Sequence, residues 1–208
     1  TRAKTVRNLY STQAPSARPD RARYPNCPGP LDPAQALLHG LSLRPAQAGR
    51  HTVYATNHGG RESIEVFELD MRGAAPAATW VGCVLMPAGM AANSVAAFSD
   101  GSVVATVLIM PGRSFADAFA GRDTGAVFLW TAGSPAFRML PGTELSANNG
   151  IETSPDDREF YVVSTTRKRI VVFSRDNPGT PLRVAQLAEF GPDNVRWTAD
   201  NRLITAGM

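Results

Sequence analysis

The chain has 208 residues, of which 43% are hydrophobic and 19% are charged, with 18 glycines and 16 prolines. This length allows a core large enough for unaided folding, and the composition excludes a disordered chain and a coiled coil. The net charge of +3 is uneven, because residues 1–50 carry +6 and residues 51–208 carry −3; a basic excess confined to one end is typical of a solvated segment.

The first 38 residues contain little regular pattern. Residues 5–10 (TVRNLY) are predicted to be the last strand of a preceding unit. Residues 11–38 are polar and rich in proline, and we expect them to form a long connection between units.

From residue 39 onward, a strand–turn–strand pattern occurs four times. Each repeat begins with a polar residue, and these residues are spaced by 54, 56 and 45 positions: His39, Asn93, Asn149 and Asn194. A turn follows each first strand, at residues 45–50, 99–101, 155–157 and 200–201, and a second β-rich run comes after each turn. Three repeats continue into a third and a fourth strand, such as 64–69 and 78–85. A short helix of about two turns is predicted at 114–120.

Four short strands per repeat is the periodicity of a β-propeller blade. The sequence therefore predicts an all-β protein, a β-propeller of about four blades. A β-sandwich is the alternative, but it does not explain the polar residue at the head of every repeat. A blade's last strand at one end and half a blade at the other predict that residues 1–208 form one propeller domain that is incomplete at both ends.

The inner strands of a propeller converge on its axis, so the residues at their heads are expected to meet at one rim. Amide oxygens from three asparagines, with the carboxylate of Asp193, form an oxygen-rich set that suits Ca²⁺. His39 and His58 are expected at the same rim, where one imidazole can act as a general base and the other can tune it. The alternatives are asparagines that only make turns and histidines that only face solvent. His51 is expected at the opposite rim, without a role.

Other kinds of site find little support. The two cysteines, Cys27 and Cys83, are too few for a disulfide scaffold or a cysteine zinc site. Cys83 lies in an apolar run and is interpreted as a buried thiol, whereas a partner for Cys27 cannot be read from the sequence. The basic run 167–169 has no interleaved aromatics, so no nucleic-acid partner is expected. No apolar run reaches the roughly 18 residues of a transmembrane helix.

Several short motifs resemble those of a known superfamily. Residues 149–156 (NGIETSPD) and 160–162 (FYV) resemble the Asn-Gly-x-x-x-Ser-Pro-Asp…Tyr-Val signature of the senescence-marker-protein/gluconolactonase superfamily. Within it, residues 39–42 (HGLS) and the Asn57-His58 pair resemble segments of the paraoxonases, which are calcium-dependent lactonases and arylesterases on a six-bladed propeller. The resemblance extends over residues 37–206.

This resemblance implies a hydrolase of small lactones or esters that uses one Ca²⁺ at the propeller axis. It implies four metal ligands, which are Asn93, Asn149, Asp193 and Asn194. It also implies that His39 and His58 form a dyad that activates water, and that the connection 109–124 is a lid over the pocket.

Two departures from the paraoxonase pattern qualify these implications. The family's acidic calcium ligand from the first blade is not in this chain, and Ser94 stands where an aspartate would help to hold a second calcium. A non-catalytic propeller with a structural calcium site is the alternative function. A metal-independent relative resembling strictosidine synthase is a further alternative, which the asparagine and aspartate set disfavours.

Overall fold

A computed structural model describes residues 6–11, 16–187 and 189–207. Fourteen strands and one short helix follow one another in these residues: β1 (Leu38–Pro45), β2 (Arg50–Asn57), β3 (Ser63–Asp70), β4 (Ala77–Leu85), β5 (Ala92–Ala97), β6 (Val103–Val107), α1 (Phe115–Phe119), β7 (Ala126–Trp130), β8 (Arg138–Met139), β9 (Asn148–Thr153), β10 (Glu159–Ser164), β11 (Arg169–Ser174), β12 (Pro181–Gln186), β13 (Pro192–Trp197) and β14 (Leu203–Gly207).

The strands form four antiparallel sheets in chain order. β1–β4, β5–β8 and β9–β12 are four-stranded meanders, which we call blades 1, 2 and 3, and β13–β14 is a two-stranded sheet, blade 4. The inner strands β1, β5, β9 and β13 contact one another in that order, so the sheets radiate from a common centre. The prediction of an all-β propeller is confirmed, and four separate radiating sheets exclude the β-sandwich.

The predicted turns between first and second strands are confirmed in all four blades. Each turn holds one residue with a positive φ, which is 71° at Gly49, 80° at Gly101, 61° at Asp157 and 58° at Asn201. Glycine, asparagine and aspartate are the residues that adopt this conformation most readily. The chemistry of these turns therefore fixes where each inner strand reverses, and with it the register of the hairpin.

The core consists of apolar layers between successive blades. Trp80 and Trp130 lie between blades 1 and 2, Phe160 lies between blades 2 and 3, and Val195 packs against blade 3 from blade 4. All four side chains are at most 1% exposed. Burial of a large apolar side chain stabilises a fold by about 1.5–3 kcal/mol, so these layers hold the blades face to face.

The segment before β1 differs from the prediction. Residues 6–11 contain no strand, and Thr5 of the predicted strand lies outside the described residues. Instead, the Tyr10 ring packs edge-on against Phe67, with ring centroids 5.1 Å apart, and its hydroxyl donates to the Leu31 carbonyl at 2.6 Å. The local alternation of residues 5–10 was a poor guide because this contact with blade 1 determines the conformation.

Described residues 16–37 contain no named strand, and their first part lies along the outer edge of blade 1; that the segment connects two blades stays a prediction. Arg18 N–H donates to the Trp80 carbonyl and Trp80 N–H donates to the Ser16 carbonyl, each at 2.8 Å. These bonds pair backbone groups of β4 that would otherwise be a free sheet edge. The segment therefore acts as a partial fifth strand.

A disulfide between Cys27 and Cys83 fastens this segment to β4, with the two Cα atoms 5.2 Å apart. The interpretation of Cys83 as a free buried thiol is wrong, although the residue is buried, at 1% exposure. Two cysteines 56 positions apart carry no spacing signal, and their pairing depends on how the segment before β1 lies against blade 1.

Candidate functional site

The residues at the heads of the inner strands lie around one cavity of about 200 Å³. The cavity is lined by His39, Gly40, Leu41, Asn93, Asn149, Asp193, Asn194 and Arg196. The structure thus brings together five of the six residues singled out from the sequence. The sixth, His58, reaches the cavity through His39, as described below.

Hydrogen bonds connect the asparagines of neighbouring blades. Asn93 Nδ2 donates to Asn149 Oδ1 at 2.5 Å, and Asn149 Nδ2 donates to Thr165 Oγ1 at 3.0 Å. Thr165 Oγ1 in turn donates to the Pro192 carbonyl at 2.7 Å, next to Asp193. Side chains of blades 2 and 3 and the backbone of blade 4 are therefore held in one continuous polar chain, and Asp193 and Asn194 beside it are exposed residues that also line the cavity.

Two glycines allow the inner strands to approach closely. A Cβ on Gly150 would lie 2.5 Å from the Asp193 carbonyl oxygen, and a Cβ on Gly40 would lie 2.8 Å from the Asn93 carbonyl oxygen. Both distances are shorter than any normal contact, so a side chain at either position would separate two blades at the site. Sequence reasoning missed this role, although each glycine directly follows a residue at the head of an inner strand.

In blades 1 and 2, a threonine on the second strand binds the backbone of the inner strand, one residue after its head. Thr56 Oγ1 accepts from Gly40 N–H at 2.5 Å, and Thr106 Oγ1 accepts from Ser94 N–H at 3.1 Å. Thr106 Oγ1 also donates to the Asn149 carbonyl at 2.6 Å and so joins blade 2 to blade 3. Sequence reasoning also missed these residues, but their signal was present, since both second strands carry Ala-Thr directly before their last residue.

The two predicted rim histidines are in contact. His39 Nδ1 lies 3.3 Å from His58 Nε2, and His58 Nδ1 lies 2.9 Å from Glu62 Oε2. Because β1 and β2 are antiparallel, the end of β2 returns to the rim where β1 starts, which is why His58 meets His39. His51 lies in the first pairs after the β1–β2 turn, at the opposite rim. Sequence reasoning did not assign Glu62.

Arg196 crosses the floor of the cavity from blade 4. Its guanidinium donates to the Ile151 carbonyl at 3.1 Å and to the Leu41 carbonyl of blade 1 at 2.5 Å. The Glu152 carboxylate lies 3.8 Å away, and burial of this group raises its pKa. Within the described residues, the bond to Leu41 is the one hydrogen bond that joins blades 1 and 4, so Arg196 links the first and last of the four sheets at the cavity.

The donor set of the cavity fits a hard cation that accepts amide oxygens. In the part of the chain that the structure describes, no three His, Cys, Asp or Glu side chains are grouped to hold a metal. A metal here would therefore depend on the amides of Asn93, Asn149 and Asn194 together with the Asp193 carboxylate. Ca²⁺ takes such ligands. The Asn93 and Asn149 amides are direct neighbours in the cavity, joined by the hydrogen bond from Asn93 Nδ2 to Asn149 Oδ1.

The predicted long connection between β6 and β7 is confirmed, and its helix α1 spans one turn and a half. Ser114 caps the helix, since its hydroxyl accepts from Asp117 N–H while the Asp117 carboxylate accepts from Ser114 N–H. The connection leaves from the end of β6, at the rim of the site, and exposes Phe115 and Phe119. Whether it acts as a lid stays a prediction.

The remaining expectations concern membranes and nucleic acid. None of the helices in the described ranges has the length and apolar character to cross a bilayer. The basic run 167–169 lies at the β10–β11 hairpin as predicted, and Arg167 donates to the Gly121 carbonyl in the connection that carries α1. This contact gives one of its charges a structural partner.

Comparison with solved structures shows similarity to propeller proteins. The chain resembles a structure of the nidogen/laminin complex, with a TM-score of 0.56 and 17% identity over 85% of this chain and 59% of that one. The similarity to the Dos1 propeller has a TM-score of 0.51 and 13% identity, over 85% of this chain and 44% of that one. The similarity to the calcium-binding protein regucalcin from Agrobacterium tumefaciens str. C58 has a TM-score of 0.48 and 15% identity, over 82% of this chain and 67% of that one. At these identities, the first two likenesses show the fold alone.

The chain spans less than two thirds of the nidogen/laminin and Dos1 chains that it resembles. A search of curated proteins finds no match. A family model, in contrast, matches most of the sequence: the SMP-30/Gluconolactonase/LRE-like region aligns with residues 42–208, from β1 to the end of the chain. The superfamily resemblance predicted from residues 149–162 is thereby confirmed, whereas the finer likeness to paraoxonases stays a prediction. This chain belongs to the SMP-30/gluconolactonase/LRE-like family.

Proposed function

We propose that this propeller hydrolyses small lactones or esters, and that it does so with one calcium ion held at the rim of the axial cavity. The observation that supports this function best is that His39 lines the same cavity as Asn93, Asn149, Asp193 and Asn194. A base and an oxygen-rich cation site side by side are the parts that hydrolysis of a carbonyl compound needs. Membership of the gluconolactonase-like family supports the same reaction class.

The metal would be held by the carboxylate of Asp193 and the amides of Asn93, Asn149 and Asn194. When bound, Ca²⁺ supplies Lewis-acid polarisation of the substrate carbonyl. His39 accepts the proton of a water molecule as the water oxygen bonds to the carbonyl carbon. The same imidazole then returns that proton to the leaving alkoxide oxygen when the ester carbon–oxygen bond breaks. His58 orients His39 through the contact of 3.3 Å.

The size of the cavity limits the substrate. A volume of about 200 Å³ is below the roughly 300–1,000 Å³ of pockets for drug-sized ligands. Arg196 and Leu41 line it, and the hydrogen bond between them crosses it from blade 4 to blade 1. We therefore expect the best substrates to be compact, such as single-ring lactones or short aryl esters.

The test combines calcium titration calorimetry with hydrolysis assays on a panel of γ-lactones, δ-lactones and phenyl esters. Asn149→Ala and Asp193→Ala are expected to abolish both calcium binding and turnover. Asp200→Asn is a matched control, because this aspartate pairs with Arg202 in the β13–β14 turn, at the other end of the same hairpin. Full activity in excess EDTA would refute the proposal. Tight calcium binding without turnover of any substrate would support the non-catalytic alternative instead.

A further inference from the structure

We propose that Glu62 is a positioning residue that fixes the tautomers of His58 and His39, so that His39 presents an unprotonated Nε2. The role of this nitrogen as a base rests on the proposed function. The tautomers themselves follow from hydrogen-bond chemistry alone, and they can be measured without any substrate.

The argument starts from the Glu62 carboxylate. An ionised carboxylate accepts hydrogen bonds and donates none, so the atom 2.9 Å from its Oε2, His58 Nδ1, must carry the proton. A neutral imidazole has one N–H, and His58 Nε2 is therefore an acceptor. His39 Nδ1, 3.3 Å from that nitrogen, must then be the donor. With its one proton on Nδ1, His39 leaves the lone pair of Nε2 free.

The turn that carries Glu62 is held in a defined conformation. The Asn57 amide donates to the carbonyls of Gly59 and Arg61, both at 2.8 Å, and its oxygen accepts from Leu37 N–H at 3.0 Å. Gly59 is required here, because a Cβ would lie 1.7 Å from the Gln35 carbonyl oxygen. These contacts hold the residues just before β1 against the turn after β2, and so they fix the separation of the two histidines.

A second anchor lies directly below this turn. Arg61 makes two hydrogen bonds to the Glu65 carboxylate, at 2.8 and 2.9 Å, and Glu65 is fully buried. The same carboxylate accepts from the Ser63 hydroxyl and from Trp80 Nε1, both at 2.6 Å. Because Glu65 already neutralises Arg61, the Glu62 carboxylate is left for His58. The backbone of Glu62 is held as well, since the N–H of Met86, the residue directly after β4, donates to the Glu62 carbonyl at 3.0 Å.

A plain surface ion pair between His58 and Glu62 is the competing explanation. The two side chains are 25% and 38% exposed, and exposed pairs contribute little to stability. An ion pair needs a doubly protonated His58. The proposed chain of hydrogen bonds from His39 through His58 to Glu62, which we call the relay, needs a neutral His58 with its proton on Nδ1. The protonation pattern of the ring nitrogens therefore distinguishes the two explanations.

The experiment is long-range ¹H–¹⁵N NMR of the full chain at about pH 8.5, above the usual imidazole range. The chain has three histidines, so each ring can be assigned, and His51 at the opposite rim is an internal reference. We expect both His39 and His58 to be protonated on Nδ1. In Glu62→Ala, His58 is expected to shift to the Nε2–H form and His39 to lose its single tautomer. Glu68→Ala, which removes a half-exposed carboxylate paired with Arg18 on the same blade, should leave both signals unchanged.

A second measurement follows turnover of a substrate found in the panel above. Glu62→Ala is expected to lower kcat at least tenfold at unchanged KM, as loss of an orienting partner typically does. Glu62→Gln keeps an oxygen that can accept from Nδ1 and should recover part of this loss.

The outcomes separate the two proposals. Nε2–H tautomers in the unaltered chain, or unchanged tautomers in Glu62→Ala, would overturn the role of Glu62 even if the chain hydrolyses lactones. The expected tautomers in a chain that hydrolyses nothing would support the relay and refute the proposed function.

Discussion

The close approach of blades 3 and 4 at Gly150 gives a prediction whose size follows from the geometry. A Cβ at this position would lie 2.5 Å from the Asp193 carbonyl oxygen and 2.7 Å from the Asn194 Cα. Normal contacts of this kind begin near 3.4 Å, so Gly150→Ala requires β13 to move by about 0.9 Å. Both obstructing atoms belong to backbone, which cannot rotate away. Overpacking of this kind costs about 1–3 kcal/mol of unfolding free energy.

Gly73→Ala is the matched control for that substitution. Gly73 lies in the β3–β4 turn, and the nearest atom to its added Cβ is the Ala75 carbonyl oxygen at 3.4 Å. Replacement of glycine by alanine without strain stabilises a fold by about 0.4–1 kcal/mol, through the unfolded chain. Gly40→Ala, with its nearest atom at 2.8 Å, should fall between the two.

Urea denaturation of the three variants checks this order, and calcium titration checks its functional consequence. We expect Gly150→Ala to lower the unfolding free energy and to weaken calcium binding, because the same displacement moves Asp193 and Asn194 away from Asn149. If Gly150→Ala is as stable as Gly73→Ala, then the inner strands are not in tight contact and the reasoning is refuted.

Two further predictions concern stability. The Cys27–Cys83 disulfide joins residues 56 positions apart, which corresponds to about 4 kcal/mol of loop-closure entropy in the unfolded chain. Cys27→Ser should therefore lower the urea midpoint strongly and make it insensitive to reductant. A loss of unfolding free energy below about 1 kcal/mol would contradict this expectation. Burial raises the pKa of Glu152, so its ionised form is unfavourable in the folded state and the associated stability declines as pH rises through the folded pKa. Glu152→Gln should therefore raise the melting temperature at neutral pH and give no gain below the ordinary carboxyl range, near pH 4, whereas an equal gain at both pH values would be inconsistent with this cause.

The repeat could be predicted because its signals are local. Alternating strands, and turns with Gly49, Gly101, Asp157 and Asn201 at the reversal points, recur at blade spacing, and the convergence of His39 with the asparagines follows from that topology. The strands and turns depend on residues close together in the chain, and the convergence follows once these local units repeat.

What could not be predicted depends on contacts between distant segments. The disulfide requires residues 16–27 to lie along β4, and the conformation of residues 6–11 depends on the packing of Tyr10 on Phe67. Arg196 acts through a carbonyl oxygen of Leu41, and backbone acceptors have no signature in a sequence. Glu62 was overlooked for a different reason, because a carboxylate four positions from a histidine in a turn is common.

The bond from Arg196 to Leu41 joins residues 155 positions apart, and this has a consequence for biosynthesis. Blades 1, 2 and 3 each close through neighbours in sequence, so they can form progressively as the chain leaves the ribosome. The cavity cannot, since two of its proposed metal ligands and the Arg196 side chain that lines it are contributed by β13. A nascent chain would thus hold three packed sheets and the paired histidines before it has any place for the ion. If calcium binds as proposed, a chain halted before residue 193 is expected to form the three sheets and to retain no calcium, which a calcium titration of the truncated chain would check.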